Sequence, residues 1–93
     1  MYQIVWSIHA QHTYLDIIEQ IFSNWNIDIV ERFENQTYEV IDTLRTQPFL
    51  GKTSDFEGLH KYVINTRVSL VYRVNSNTIE LVTFIFNKSD HIF

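Results

Sequence analysis

Five side chains in the C-terminal part of the chain are able to bind an anion or to carry a proton. They are His60, Lys61, Arg67, Arg73 and Lys88. Arginine and lysine stabilise negative charge, while histidine and lysine exchange protons in general acid–base chemistry. The same side chains also occur on exposed sheet faces that perform no chemistry. We therefore expect a cationic binding surface here rather than a hydrolytic site.

Two histidines near the N-terminus have a spacing that suits a metal ion. His9 and His12 are three residues apart, and Asp16 follows them on the same predicted helix. A zinc site needs three or four protein ligands, and the sequence offers no convincing set of that size. We expect neither a metal site nor another cofactor.

The composition predicts one domain without covalent cross-links. The chain has 93 residues, 45% of them apolar and 15% aromatic, which is enough for one hydrophobic core but not for two. Cysteine is absent, which excludes disulfides and a cysteine nucleophile. The N-terminus does not resemble a signal peptide, and no apolar run has the length of a membrane span. We expect a soluble cytoplasmic protein, with residues 1–93 forming a single domain.

The charge is distributed unevenly along the chain. A net charge of −4 argues against a general nucleic-acid binder, because phosphate contacts need clustered lysine and arginine. Residues 1–51 contain two arginines and seven carboxylates, whereas residues 52–93 contain five lysines or arginines and four carboxylates. We therefore expect an anionic partner to bind the C-terminal half.

The N-terminal half predicts a short strand followed by a helical hairpin. Residues 2–6 alternate like a strand, and Ser7 can cap the first helix. Two apolar stripes at helical spacing follow. They consist of Ala10, Tyr14, Ile17, Ile18, Ile21 and Trp25, and of Ile29, Val30, Phe33, Thr37, Val40, Ile41 and Leu44. A short polar link between the stripes indicates an antiparallel hairpin, which Pro48 ends.

The C-terminal half predicts three consecutive strands, at residues 59–65, 67–74 and 78–86. Alternation in the middle strand places four apolar residues on one face, namely Val68, Leu70, Tyr72 and Val74. Arg67 and Arg73 then lie together on the opposite, open face. The expected fold is α+β, with an N-terminal strand and an antiparallel α-hairpin packed on a C-terminal antiparallel β-meander.

Apolar residues crowd the end of the last strand and the tail after it. They are Phe84, Phe86, Ile92 and Phe93. Exposed apolar patches tend to mark partner sites, and a partner segment can pack there or add a strand to the sheet. We expect this patch to bind another protein.

Several short motifs occur in a fixed order along the chain. Their sequences are Trp6-Ser7-x-x-Ala10, Leu44-x-x-x-Pro48-x-x-Gly51, Leu70-Val71-Tyr72-Arg73-Val74, Ile79-Glu80-Leu81-Val82 and Asn87-Lys88-Ser89-Asp90. In order and spacing they resemble the motifs of the RelE/ParE superfamily of bacterial toxins. The resemblance implies a small antitoxin as partner, in a hetero-oligomer. It also implies one of two activities, ParE-like poisoning of DNA gyrase or RelE-like cleavage of mRNA on the ribosome.

The two activities make different demands on the cationic residues. In a RelE-like nuclease, the five side chains named at the outset would form the catalytic cluster. However, the chain is acidic, His60 stands where members often have arginine, and Phe93 lacks a hydroxyl for proton transfer. We therefore favour a ParE-like toxin without a cofactor. A third hypothesis is a degenerate member that binds an antitoxin but poisons nothing.

The resemblance also suggests which residues contact which partner in a ParE-like toxin. Contacts to the target are assigned to Lys61, Arg67, Arg73 and Lys88. Contacts to the antitoxin are assigned to Phe84, Phe86, Ile92 and Phe93.

Overall fold

The computed structural model describes residues 1–53 and 58–87. In chain order its elements are β1 (Gln3–Trp6), α1 (Ile8–Asn24), α2 (Ile27–Thr46), β2 (Lys52–Thr53), β3 (Leu59–Val63), β4 (Val68–Val74) and β5 (Thr78–Phe86). The strand, the helical hairpin and the three later strands agree with the sequence prediction. The two-residue strand β2 was not predicted.

Both helices begin at capping side chains. Ser7 Oγ accepts a hydrogen bond from Ala10 N–H at 2.9 Å, which confirms the predicted cap of α1. Asn26 Oδ1 accepts one from Ile29 N–H at 3.1 Å and starts α2 directly after the hairpin turn. These caps fix where each helix starts and therefore how the hairpin is placed on the sheet.

The five strands form one mixed sheet in the order β1-β5-β4-β3-β2. The last three long strands are the predicted antiparallel meander, with β2 added antiparallel to β3. β1 pairs in parallel with β5, so that Ile4 lies opposite Ile79. The connection between these parallel neighbours contains the helical hairpin and the strands β2, β3 and β4. The sequence predicted the N-terminal strand and the antiparallel meander, and the structure adds the parallel pairing of β1 with β5.

The hydrophobic core lies between the helical hairpin and one face of the sheet. It consists of Ala10, Tyr14, Ile17, Ile21, Val30, Phe33, Ile41, Leu44, Val68, Leu70, Tyr72, Ile79, Leu81 and Phe84. Both predicted helical stripes contribute to it, as does the apolar face of β4. Trp25, which was assigned to the first stripe, is instead 51% exposed, because it lies in the turn beyond α1.

A β-bulge in β5 changes which of its residues face the helices. Val71 pairs with Thr83 but Tyr72 pairs with Leu81, so Val82 is an extra residue on β5. The cap of α1 and a side chain of its second turn bind the backbone at this point: Ser7 Oγ donates to Val82 O at 3.1 Å, and Phe84 N–H donates to Thr13 Oγ1 at 3.0 Å. The bulge turns Phe84 into the core, where it is only 2% exposed.

Tyr14 is a buried polar group at the centre of the aromatic core. Its ring lies between those of Trp6, Phe33 and Phe84, with centroid separations of 5.3, 5.5 and 5.0 Å. Its hydroxyl is buried and makes no hydrogen bond with any described residue. Burial raises the pKa of Tyr14 to about 12, although the neighbouring Thr37 hydroxyl lowers it in part.

Candidate functional site

Strand register places three cations on the open face of the sheet, the face turned away from the helices. Lys61 lies directly opposite Val71 on β4 and opposite Lys52 on β2. Arg73 lies two residues beyond Val71 on the same strand and therefore on the same face. Lys61 and Arg73 are therefore diagonal neighbours on β3 and β4, and residues in this relation are about 7–8 Å apart, within reach of long side chains. We call Lys52, Lys61 and Arg73 the cationic face.

Arg73 is the most constrained member of the cationic face. It is half-buried between Leu59 on β3 and Glu80 on β5. Its Nε is buried and has no hydrogen-bond partner among the described residues. The ion pair found among residues 1–53 and 58–87 is Arg45 with Asp42, at 3.5 Å, so Arg73 is not paired with Glu80. Among the described residues, the Arg73 guanidinium therefore has no ion-pair partner.

Arg67 does not join the cationic face. Its guanidinium carbon lies 5.1 Å from the centroid of the Trp25 ring, against the turn between the helices. Six residues of strand separate it from Arg73, which corresponds to about 20 Å. The prediction that Arg67 and Arg73 lie together was wrong, because alternation places residues on a face without placing them near each other. Arg67 instead fastens the hairpin turn to the start of β4 by a cation–π contact.

His60 also lies apart from the cationic face. It pairs with Tyr72 across β3 and β4 and therefore shares the helix-facing side of the sheet. Its ring stacks on that of Tyr72, with a centroid separation of 5.3 Å and an interplanar angle of 19°. His60 and Lys61 are consecutive and point to opposite faces, so they do not form one cluster. Lys88, the remaining predicted cation, lies outside the described residues.

The buried Tyr72 holds the loop that leaves α2. Its hydroxyl donates to Pro48 O at 2.8 Å and accepts from Gly51 N–H at 2.9 Å. Burial raises the pKa of Tyr72, while the hydrogen bond from Gly51 lowers it in part. A Cβ at Gly51 would lie 2.7 Å from the Tyr72 hydroxyl, so only glycine allows this approach. The motif that ends with Pro48 and Gly51 and the motif that contains Tyr72, which the sequence analysis treated separately, are therefore in contact here.

An apolar groove runs along the outer side of the helical hairpin. It has a volume of about 530 Å³ and is lined by Leu15, Asp16, Ile18, Glu19, Phe22, Ile27 and Val30. Leu15, Phe22 and Ile27 are each more than half exposed. Sequence reasoning missed this hairpin groove because it followed only the core stripes. The seven-residue spacing of Ile8, Leu15 and Phe22 was the available signal.

The predicted apolar patch at the end of β5 is divided by the structure. Phe84 belongs to the core, so the expectation that it lies on the surface was wrong, and the reason is the bulge at Val82. Phe86 is 40% exposed at the end of the strand. Ile92 and Phe93 lie outside the described residues. Phe86 is therefore the one predicted antitoxin contact that the described surface presents.

His9, His12 and Asp16 all lie on the exposed side of α1. Within residues 1–53 and 58–87, no group of three histidine, cysteine or acidic side chains could hold a metal ion. No helix in these same ranges is long and apolar enough to cross a membrane.

Solved structures match the chain over nearly its whole length, although no protein-family model and no curated protein matches it. A chain of the chromosomal ParDE TA system from P. aeruginosa has a TM-score of 0.81 at 14% identity, covering 95% of this chain and 98% of that one. The YoeB/ParE toxin from Agrobacterium tumefaciens has a TM-score of 0.65 at 18% identity, with coverages of 92% and 99%. A chain of the heterotetrameric YoeB-YefM toxin-antitoxin complex from Staphylococcus aureus has a TM-score of 0.60 at 21% identity, with coverages of 95% and 99%.

The two-helix, five-strand architecture is therefore the fold of the RelE/ParE toxins, as the sequence motifs predicted. Within that fold, the matches include both ParE-type and YoeB-type structures. At identities of 14 to 21% the likeness shows the fold and leaves the activity to be argued from this chain's own residues.

Proposed function

We propose that this chain is the toxin of a type II toxin–antitoxin pair and that it acts in the manner of ParE, by binding DNA gyrase. The fold match to a chain of a ParDE system across 95% of this chain supports a toxin of this superfamily. The observation that favours binding over cleavage is that His60 lies on the opposite side of the sheet from the cationic face. The cationic face supplies a surface for an acidic target, and the half-buried Arg73 would be its centre. Lys88, which was also assigned to target binding from the sequence, stays a proposed contact.

The position of His60 supports binding rather than RNA cleavage. A nuclease without a metal needs a proton carrier beside its phosphate-binding cations. His60 lies on the other side of the sheet from Lys61 and stacks against Tyr72. The sequence offered His60 and Lys61 as proton carriers, and the first of the two therefore does not face the cations.

A RelE-like mRNA endonuclease is the second candidate, and Glu80 is the observation in its favour. Glu80 lies opposite Arg73 on the open face, so a carboxylate and two cations, Arg73 and Lys61, share one surface. A carboxylate in such a setting can act as a general base on a hydroxyl. If this were the activity, Glu80→Gln would abolish mRNA cleavage while leaving the fold intact.

The proposed antitoxin would occupy the hairpin groove and reach Phe86, with Ile92 and Phe93 as further proposed contacts. The groove exposes large apolar side chains beside Asp16 and Glu19. A segment with apolar and basic side chains would complement it in shape and charge. This assignment separates the antitoxin surface on the helices from the target surface on the sheet.

Expression of the chain without an antitoxin tests the proposal. We expect growth arrest, induction of the DNA-damage response and accumulation of gyrase–DNA cleavage complexes. Lys61→Glu should abolish the arrest, whereas Arg32→Glu, the same charge reversal on the exposed face of α2, should not. Cleavage of translated mRNA without cleavage complexes would replace this proposal by the RelE-like one. Absence of arrest at normal expression would indicate a degenerate member.

A further inference from the structure

A short loop between α2 and β2 exposes two large apolar side chains. Phe49 is 66% exposed and Leu50 is 47% exposed, while Pro48 and Gly51 on either side of them are buried. We call residues 48–51 the Phe49 loop.

Contacts with Tyr72 and His60 hold the Phe49 loop in this exposed conformation. Tyr72 binds the backbone of Pro48 and of Gly51, one residue on each side of the exposed pair. His60 supports the Phe49 ring edge-on, with a centroid separation of 5.7 Å, and His60 Nδ1 lies 3.4 Å from Gly51 O. Apolar anchors that are fixed before binding lose little conformational entropy when a partner covers them.

A pair of lysines lies next to the Phe49 loop at the sheet edge. Lys52 follows the loop directly and faces Lys61 across β2 and β3. Like charges directly opposite each other destabilise a sheet. Edge lysines also prevent strands of other chains from pairing with the edge, and this would account for Lys52. It would not account for the exposure of Phe49 and Leu50 beside it.

We infer that the Phe49 loop and the Lys52–Lys61 pair form one docking surface for an acidic protein, with Phe49 as the apolar anchor. The inference rests on the proposed function, because the acidic protein would be the toxin's cellular target. Phe49 lies on the helix-facing side with His60 and the two lysines lie on the open side, so this surface wraps around the β2 edge of the sheet. The partner is expected to be a protein rather than a nucleic acid, because the aliphatic Leu50 lies beside the aromatic Phe49. The net charge of −4 favours the same class of partner.

The double substitution Phe49→Ser with Leu50→Ser tests the inference. Both side chains are exposed, so the fold should persist, which circular dichroism and thermal unfolding would verify. Growth arrest on expression should be lost. The affinity of the purified chain for DNA gyrase, measured by biolayer interferometry, should fall about tenfold or more, the loss expected for removal of an interface anchor. Tyr38→Ser is the control, since Tyr38 is a 56% exposed aromatic residue on α2 outside the proposed surfaces and its replacement should have no effect.

A short single-stranded RNA serves as the second probe. Its binding should be unchanged by the double substitution. The inference is overturned if the double variant arrests growth, or binds gyrase, as well as the original chain does. It is also overturned if the double variant loses affinity for RNA and keeps its affinity for gyrase. If the original chain arrests no growth, the proposed function fails and the inference fails with it. If the original chain and the double variant arrest growth equally, only the inference fails.

Discussion

Replacement of Tyr72 by phenylalanine should destabilise the fold, whereas the same replacement at Tyr14 should not. Both tyrosines are buried, at 0% and 8% exposure, and both substitutions remove one hydroxyl. The Tyr72 hydroxyl makes two hydrogen bonds, so its loss leaves Pro48 O and Gly51 N–H unpaired in a buried site. The Tyr14 hydroxyl makes no hydrogen bond of normal geometry with the described residues, and the Thr37 hydroxyl beside it already donates to Phe33 O, so loss of the Tyr14 hydroxyl leaves no donor unpaired.

The magnitude follows from the cost of unpaired buried groups. Each one costs about 1–3 kcal/mol, and partial relaxation of the loop should bring the total for Tyr72→Phe to about 2–3 kcal/mol. Removal of an unpaired buried hydroxyl should leave the free energy of unfolding unchanged or raise it by up to about 1 kcal/mol. For a domain of this size, the Tyr72 loss corresponds to a Tm lower by about 10–20 °C.

Urea unfolding followed by circular dichroism at neutral pH measures both variants. The slope of the free energy against urea concentration should stay the same, so that the midpoints report stability directly. If the two variants unfold within about 0.5 kcal/mol of each other, the hydrogen bonds from Tyr72 do not hold the loop, and the reasoning is refuted.

Four further results are expected. Burial raises the pKa of Tyr14 to about 12, so the unfolded chain releases that proton at a lower pH than the folded chain does. The free energy of unfolding should therefore be full below pH 10 and fall by about 1.4 kcal/mol per pH unit between about pH 10 and 12, with a smaller fall in Tyr14→Phe. Equal pH dependence of urea stability in the two proteins would contradict this. Gly51→Ala should lower the free energy of unfolding by about 1–3 kcal/mol, since its Cβ would lie 2.7 Å from the Tyr72 hydroxyl. Unchanged stability in urea would show that the loop moves to accommodate the Cβ. Arg67→Ala should preserve growth arrest and lower the free energy of unfolding by about 0.5–1 kcal/mol through loss of the contact with Trp25; loss of arrest in a folded variant would return Arg67 to the target surface. Phe22→Asp should leave arrest intact but prevent rescue by the co-expressed antitoxin, and normal rescue would move the antitoxin away from the hairpin groove.

Much of the fold could be predicted because local signals agreed with one another. Ser7 is a capping residue directly before an apolar stripe, and both helical stripes were read with the correct period. The alternation in β4 likewise identified Leu70 and Tyr72 as core residues. These features depend on neighbours in sequence, which is why one sequence was enough to find them.

The parts that sequence reasoning missed depend on contacts between distant segments. The bulge at Val82 is supported by Ser7 and Thr13, about 70 residues away along the chain, and no local pattern marks it. The consequence was the wrong placement of Phe84. The parallel pairing of β1 is likewise a tertiary choice, since an alternating strand pairs equally well in either direction.

The candidate site was predicted less well than the fold. Lys61 and Arg73 do share the open face, as strand alternation indicates. Arg67 was wrongly grouped with Arg73, because alternation carries no information about distance along a strand. Lys52 was not selected as a site residue, since β2 is formed by pairing with β3 and has almost no sequence signal of its own.

The most direct test of the central claim is the formation of gyrase–DNA cleavage complexes by the purified chain. Gyrase, supercoiled plasmid and the chain would be mixed, and linear plasmid would be measured after protein digestion. We expect linear plasmid to accumulate with the original chain and with Arg32→Glu, and to be absent with Lys61→Glu. If none of the three proteins produces linear plasmid while the original chain still arrests growth, the chain does not act as a ParE-type gyrase poison.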